Sequence, residues 1–337
     1  MLAIPYQPKN NRYESGMTYN RAGKSGILLP EISLGLWHNF GSVDCFQESI
    51  NKIHYAFDKG ITHFDLANNY GPIYGSAEET FGKIIDQSLR PYRDELFIST
   101  KAGYDMWPGP YGNWGSRKYL ISSLNQSLHR MKLDYVDLFY SHRYDPNTPL
   151  EETMQTLVDI VHQGKALYVG ISNYPAKVAI EAYKYLEERD VPCLLHQGKY
   201  NLFQRIPEED DLLKETANAG VGYIAFSPLA QGLLTDRYIN GIPSDSRIAR
   251  GGHLKKEQLT AHKLEVIKKL NHLAKKRNQT LAEMAIAWLL NKEEVTSVII
   301  GASSTQQIQD NINALHNTSF STDELTELDL LTKNIEK

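Results

Sequence analysis

An aspartate, a tyrosine, a lysine and a histidine stand in this chain where short apolar runs give way to loops. Asp65 lies at the end of the run Ile61–Leu66, and Tyr70 follows five positions on, within Ala67-Asn68-Asn69-Tyr70-Gly71. Lys101 ends the run Leu96–Lys101, and His142 directly follows Val136–Ser141. A tyrosine hydroxyl can hand a proton to an alkoxide, but its ordinary pKa of about 10 makes it a reluctant acid at neutral pH. A nearby ammonium stabilises phenolate and eases that release, which is the part Lys101 could play. A partly buried lysine stays charged when a carboxylate partners it, and Asp65 fits. A histidine N–H aimed at the same oxygen would orient a carbonyl and stabilise its developing negative charge. Together the four suit reduction of an aldehyde or ketone by a hydride donor. Each also has an ordinary reading: a structural Asp65–Lys101 ion pair, Tyr70 packed on Tyr74, a surface His142. Their coincidence at consecutive strand ends favours the chemistry.

The elements that must position them follow a repeated rhythm of apolar run, loop and amphipathic helix. The runs are Ile32–Trp37, Ile61–Leu66, Leu96–Lys101, Val136–Ser141, Ala166–Ser172, Cys193–Gln197, Gly222–Ser227 and Val298–Gly301. Between them lie helical patterns such as Phe46/Ile50/Ile53/Phe57 and Leu150/Met154/Leu157/Val161. Gly60 and Gly164 stand where helix-ending glycines belong. Buried strands alternating with helices imply a parallel sheet. Eight units in this length imply an α/β (β/α)8 TIM barrel, with chemistry at the C-terminal ends of its strands. The doubly wound alternative would want GxGxxG after an early strand, and there is none. A hairpin is expected over Tyr19–Leu29 and extra helices beyond the eighth strand, at Thr305–Leu315 and from Thr322 onward. Gly23-Lys24-Ser25 resembles the end of a P-loop, but position 18 is threonine where that motif needs glycine. No low-complexity linker divides the chain, so residues 1–337 are read as one domain with a barrel core of about 31–315.

Composition narrows the function classes. A net charge of −4, with both signs spread along the chain, argues against nucleic acid and anionic membranes as partners. The 2 cysteines, Cys45 and Cys193, have no metal-binding or CxxC spacing, so a reducing, cytoplasmic setting and no metal are expected. No run approaches the ~20 apolar residues of a membrane span.

Gly60-Ile61-Thr62-His63-Phe64-Asp65-Leu66-Ala67-Asn68-Asn69-Tyr70-Gly71, Phe97-Ile98-Ser99-Thr100-Lys101 and Asp137-Leu138-Phe139-Tyr140-Ser141-His142 resemble the three signatures of the aldo-keto reductases. The resemblance runs from about Leu34 to Asn313 and is strongest toward bacterial L-glyceraldehyde 3-phosphate reductases, relatives of the potassium channel β subunits. It implies the tetrad Asp65, Tyr70, Lys101 and His142, with Tyr70 as proton donor. It also implies a small carbonyl substrate such as glyceraldehyde 3-phosphate or methylglyoxal, and a homo-oligomer as one possibility. A cofactor-sensing subunit is the rival function.

A hydride donor would need a site without the dinucleotide fingerprint. Ser172, Asn173 and Gln197, at the ends of strands five and six, suit a nicotinamide carboxamide. Phe226 could stack on the ring or belong to the core. Ser227–Gly232 is a small-residue turn able to approach a pyrophosphate, and Gly301–Ser304 precedes a helix whose free N–H groups favour phosphate. The resemblance carries cofactor contact to Trp37, Asp65, Ser172, Asn173, Gln197, Phe226, Ser227, Leu229, Gln231, Gly232, Arg237, Arg247, Ser303, Gln307, Asp310 and Asn311. Arg247, with Ser303, is the candidate for a 2′-phosphate, so NADP(H) is the expected cofactor. Four positions depart from the family pattern: Gly198 after Gln197, Asp236 and Arg237, and Asp310. Substrate contact is assigned to Trp37, Tyr70, Trp107, His142 and Arg143; the aromatics Trp37, Tyr104, Trp107, Tyr111 and Trp114 could wall the mouth of the site, fix the long loop or bury themselves against a neighbouring subunit. Arg143 could meet an anionic group or form a structural ion pair.

Overall fold

The computed structural model describes residues 6–333 and 335, apart from 245, 247, 250, 252 and 253. Two short strands come first, β1 (Tyr19–Arg21) and β2 (Leu28–Pro30), paired antiparallel. Eight more follow: β3 (Ile32–Gly35), β4 (His63–Asp65), β5 (Phe97–Ala102), β6 (Val136–Ser141), β7 (Ala166–Ser172), β8 (Cys193–Lys199), β9 (Gly222–Phe226) and β10 (Val295–Ile300). They close into one barrel, each parallel to its neighbours, with β10 pairing back onto β3. All eight runs expected from the sequence are strands of this barrel. The largest difference is at β10, which starts at Val295 rather than Val298. Thr296 and Ser297 break the apolar run, yet both are buried. The Ser297 hydroxyl satisfies itself against Ser33 at 2.7 Å, so a polar residue sits inside the barrel without an orphaned group.

Helices cover the outside. The first five, α1 (Phe46–Asp58), α2 (Ser76–Ile84), α3 (Arg117–Met131), α4 (Leu150–His162) and α5 (Ala176–Glu187), each lead from one barrel strand to the next. Helix α1 shows the local logic: Ile53, Ala56 and Phe57 are fully buried on one stripe, and Gly60 ends the turn at φ 84°. Burying such an Ile or Phe contributes about 1.5–3 kcal/mol each, so the stripe fixes which face meets the sheet. Farther on come α6 (Ile206–Glu209), α7 (Leu212–Asn218), α8 (Ala261–Lys276), α9 (Leu281–Leu290), α10 (Thr305–Ile312) and α11 (Thr322–Thr332). The expected helix over Thr305–Leu315 ends as an α-helix at Ile312 and continues as a 3-10 turn over Asn313–His316. Helix α11 is fastened by Arg205, whose guanidinium joins Glu208 and Asp329, at 2.6 Å for the latter.

The hairpin plugs the N-terminal end of the barrel. Ala22 and Leu29 are buried in one cluster with Phe97, Leu138, Leu195 and Ile224. The segment that resembled a P-loop is the hairpin's turn. Lys24 N–H donates to Gly220 O at 2.9 Å, and a Cβ on Gly23 (φ 53°) would lie 2.0 Å from that same oxygen. Only glycine permits this approach.

Candidate active site

The strand ends bring the four expected residues together. Asp65 ends β4, Lys101 is the penultimate residue of β5, and His142 follows β6, its N–H bonded to Ala102 O at 2.9 Å. Lys101 is fully buried, and its ammonium has three protons and three acceptors. They are Asp65 Oδ2 at 2.5 Å, Leu66 O at 2.7 Å and the Tyr70 hydroxyl at 3.4 Å. Tyr70 lies beside Trp37 (ring centroids 6.3 Å apart) and edge-on to His142 (5.9 Å), and Tyr104 also packs edge-on against that histidine (4.7 Å).

The electrostatics correct one expectation. Burial, and then the negative charge of Asp65, push the Tyr70 pKa well above its ordinary value. The ammonium at 3.4 Å does not reverse this, because desolvation penalises the phenolate more than one neighbouring cation helps it. Tyr70 therefore keeps its proton at neutral pH. Burial lowers the Lys101 pKa, and the Asp65 carboxylate opposes that fall. Burial, Lys101 and Arg143 hold His142 well below the ordinary histidine range, so its ring is neutral. Its Nδ1 is buried without a hydrogen-bond partner.

The residues expected to hold a cofactor line the neighbouring strand ends. Ser172 and Gln197 are buried, and Gln197 Nε2 donates to Asp65 Oδ1 at 3.1 Å. Asn173, at φ 55°, donates to His142 O at 3.1 Å and Ser172 Oγ at 3.0 Å. Beyond the half-buried Phe226, the turn carries Ser227, Ala230, Gln231 and Gly232 all at positive φ (56°, 45°, 59° and 102°). Three consecutive left-handed residues, two of them not glycine, are costly and mark a loop shaped for something other than stability. Gln231 Oε1 is buried there with no partner, and Leu229 O accepts from Gly232 N at 2.7 Å. Arg237 lies further along, in the 3-10 turn Asp236–Tyr238. At the start of α10, Gln307 Oε1 accepts from Ser303 N at 2.8 Å and Ser303 Oγ at 3.1 Å. Asp310 accepts from Gln306 at 2.7 Å, and Asn311 is buried. Arg247 lies outside the described residues. These donors, the orphaned Gln231 oxygen and the preformed turn fit a nicotinamide dinucleotide. The departure at Gly198 also has a local cause: a Cβ there would lie 2.1 Å from the Tyr223 hydroxyl.

The substrate-side expectations separate. Trp37, Tyr70 and His142 meet. Trp107 instead packs its ring on Tyr119 (5.1 Å) within the loop after β5. Arg143 donates to Gly103 O and Asn113 Oδ1, both at 2.8 Å, and its guanidinium lies 3.6 Å over the Trp114 ring and 4.3 Å over Tyr104. Arg143 thus holds the aromatic loop in place. A cavity of about 590 Å³ opens among Tyr74, Met106, Trp107, Pro108 and Trp114, beside the tetrad rather than on it. The tetrad, with its donors and perturbed groups, remains the better candidate for chemistry.

Ser99 and His63 were not singled out from the sequence. Ser99 donates to Asp65 Oδ1 at 2.7 Å, and His63 Nε2 lies 2.9 Å from Ser99 Oγ. The signal available was the strand period: Ser99 is two residues before Lys101 and His63 two before Asp65, so each pair faces inward together.

Residues 31–333 match the Aldo/keto reductase family. The chain belongs to the aldo/keto reductase family. It is 55% identical over 317 residues to the L-glyceraldehyde 3-phosphate reductase of Escherichia coli K12, covering 93% of this chain and 92% of that protein. It is 37% identical over 305 residues to a probable voltage-gated potassium channel subunit beta of Arabidopsis thaliana, covering 89% and 91%. A similar subunit of rice, Oryza sativa subsp. japonica, is 35% identical over 305 residues, covering 89% and 91%. As an aldo/keto reductase the chain is an oxidoreductase acting on carbonyl groups. Among the described residues, no helix is long and apolar enough to cross a membrane, and no group of His, Cys, Asp and Glu could hold a metal ion.

Proposed function

We propose that this aldo/keto reductase is an NADPH-dependent reductase of small aldehydes and ketones, such as glyceraldehyde 3-phosphate or methylglyoxal, with Tyr70 supplying the proton. The observation that carries the reading is the saturated Lys101 ammonium joining Asp65, Leu66 O and the Tyr70 hydroxyl beneath a neutral His142. The bound nicotinamide would supply hydride to the carbonyl carbon. Ser172, Asn173 and Gln197 would hold the ring end, and the Ser227–Gly232 turn with Ser303, Gln307 and Asn311 would hold the phosphate and adenosine end. Phe226 and Trp37 would flank the ring, and Leu229, Arg237, Arg247 and Asp310 complete the proposed cofactor contacts.

Tyr70, kept protonated by its surroundings, donates to the carbonyl oxygen as negative charge builds on it. Lys101 then faces the phenolate left behind, and Asp65 keeps that lysine charged. Neutral His142 has one N–H with which to orient the same oxygen, at no cost of desolvating a second cation.

The test is steady-state oxidation of NADPH and NADH against an aldehyde panel including methylglyoxal, for the parent enzyme and Tyr70→Phe. The expected result is turnover with NADPH that Tyr70→Phe lowers by about 10²–10⁴, the scale of losing a general acid, with NADPH affinity nearly unchanged. Unchanged turnover in Tyr70→Phe would overturn the assignment. Tight NADPH binding with negligible turnover on every aldehyde would instead indicate a cofactor sensor.

A further inference from the structure

The interior of the barrel below the tetrad is divided by polarity. On one side lie Leu138, Leu195 and Ile224, from β6, β8 and β9. On the other, four neighbouring strands (β10, β3, β4 and β5) carry an unbroken file of hydrogen-bonding side chains. Ser297 Oγ and Ser33 Oγ are 2.7 Å apart, and Ser33 Oγ is 2.8 Å from His63 Nδ1. His63 Nε2 is 2.9 Å from Ser99 Oγ, which lies 2.7 Å from Asp65 Oδ1. Ser33, His63, Ser99 and Ser297 are each fully buried.

The direction of every bond follows from the last one. Asp65, paired with Lys101, is a carboxylate and only accepts, so the single Ser99 hydroxyl proton must go to it. Ser99 Oγ can then meet His63 only as an acceptor, so Nε2 carries the ring proton. Burial, opposed by the charge of Asp65 and aided by Lys101, pushes the His63 pKa down to about 4, so the ring is neutral and Nδ1 is bare. Bare Nδ1 takes the Ser33 proton, and Ser297 must donate to Ser33 at 2.7 Å in preference to Glu31 O at 3.4 Å. Hydrogen bonds aligned head to tail in a dry interior polarise one another in the same sense.

We infer that Ser297, Ser33, His63 and Ser99 form a one-way hydrogen-bond relay ending on Asp65, and that His63 is a positioning residue for the reductase although it touches neither substrate nor cofactor. Its N–H fixes the Ser99 hydroxyl on Asp65 Oδ1. That leaves Oδ2 to Lys101, and the lysine in turn stays aimed at Tyr70. Gln197 shares Oδ1, so the relay and the proposed cofactor strand converge on the same oxygen. The inference rests on the tetrad reading above, but its direction can be tested without activity.

The first measurement is the ring ¹⁵N shifts of His63 in the full-length protein at neutral pH, assigned by comparison with His63→Gln. A neutral ring protonated at Nε2 is expected; protonation at Nδ1 would reverse the file and overturn the relay, leaving the reductase assignment intact. The second is methylglyoxal reduction with NADPH by His63→Leu and His63→Gln. His63→Leu should lose about tenfold in kcat, the factor carried by one weakened hydrogen bond to a charge, with KM for methylglyoxal nearly unchanged. His63→Gln keeps an N–H for Ser99 and should recover most of the loss. Full kcat in folded His63→Leu, or equal losses in both variants, would overturn the positioning role. Should His63→Leu not fold, the tautomer and the His63→Gln rate decide. A Tyr70→Phe enzyme that still turns over would sink the tetrad while leaving the tautomer as found.

Discussion

Replacing Asp65 by asparagine keeps the shape of the side chain and removes the one counter-charge within 2.5 Å of a fully buried ammonium. Breaking a buried pair from one side typically costs about 3–5 kcal/mol, because the surviving charge has no solvent to turn to. Lys101 would retain Leu66 O and the Tyr70 hydroxyl. It would also feel Glu78, but that carboxylate is already committed to Thr100 and to Arg130 at 2.8 Å. A loss near 3 kcal/mol is therefore expected from Asp65→Asn. Lys101→Met should cost less, since Asp65 would keep the Ser99 and Gln197 donors. The double variant should be more stable than the sum of the singles by at least about 1.5 kcal/mol, since it leaves neither charge stranded. Urea unfolding followed by circular dichroism, with equal m-values across the set, measures all three. The sign with pH is also fixed. Without Asp65 the folded-state pKa of Lys101 falls further below its unfolded value of about 10.4, so the unfolded chain binds more protons and stability rises with pH. The deficit of Asp65→Asn needs both Lys101 charged and the parent's Asp65 ionised, so it should narrow as the medium turns alkaline. Additive single losses, within about 0.5 kcal/mol, would refute the coupling on which the tetrad depends.

Arg247→Ala should weaken NADPH more than NADH in fluorescence titrations, and equal losses would remove the 2′-phosphate role. Because His142 is held neutral and His63 is pushed down to about 4, kcat for reduction should show no inflection near the ordinary histidine value. The raised Tyr70 pKa keeps the phenol protonated, so any fall on the alkaline side should follow the lowered pKa of Lys101 rather than that of the phenol. A drop centred at neutral pH would contradict both assignments. Gly23→Ala should destabilise the fold by at least about 2 kcal/mol in urea, since φ 53° is strained for alanine and the new Cβ meets Gly220 O. A loss below about 0.5 kcal/mol would mean that the hairpin does not dock there.

The barrel was legible because its strands are buried on both faces and so read as apolar runs between helical stripes. Where a strand carried polar residues inward, as at Thr296 and Ser297, the run was broken and its start was misplaced. The tetrad was legible for a related reason: Asp65, Lys101 and His142 sit at the strand ends, where topology alone makes them neighbours. What could not be read was the balance of terms at Tyr70. A lysine's presence can be seen in a sequence, but the depth of burial that outweighs it cannot. Arg143 shows the same limit, since a cation next to His142 reads equally as a ligand for an anion or a structural ion-pair partner, and only the fold shows it held by Gly103 O, Asn113 and two aromatic rings. Ser99 and His63 were hidden for the opposite reason. Their two-residue spacing from Lys101 and Asp65 gives the side they face, but what they bond is set by partners across four strands that the sequence does not bring together.

The docked turn at Gly23 has a consequence for traffic. The interior beneath Tyr70 is filled by side chains and closed at its floor by Ala22 and Leu29, so whatever reaches Tyr70 uses one doorway, at the rim where the strands end. A large ligand lying across the ends of β7, β8 and β9 would occupy part of that doorway, so the comings and goings of a small carbonyl compound would be timed by its larger companion.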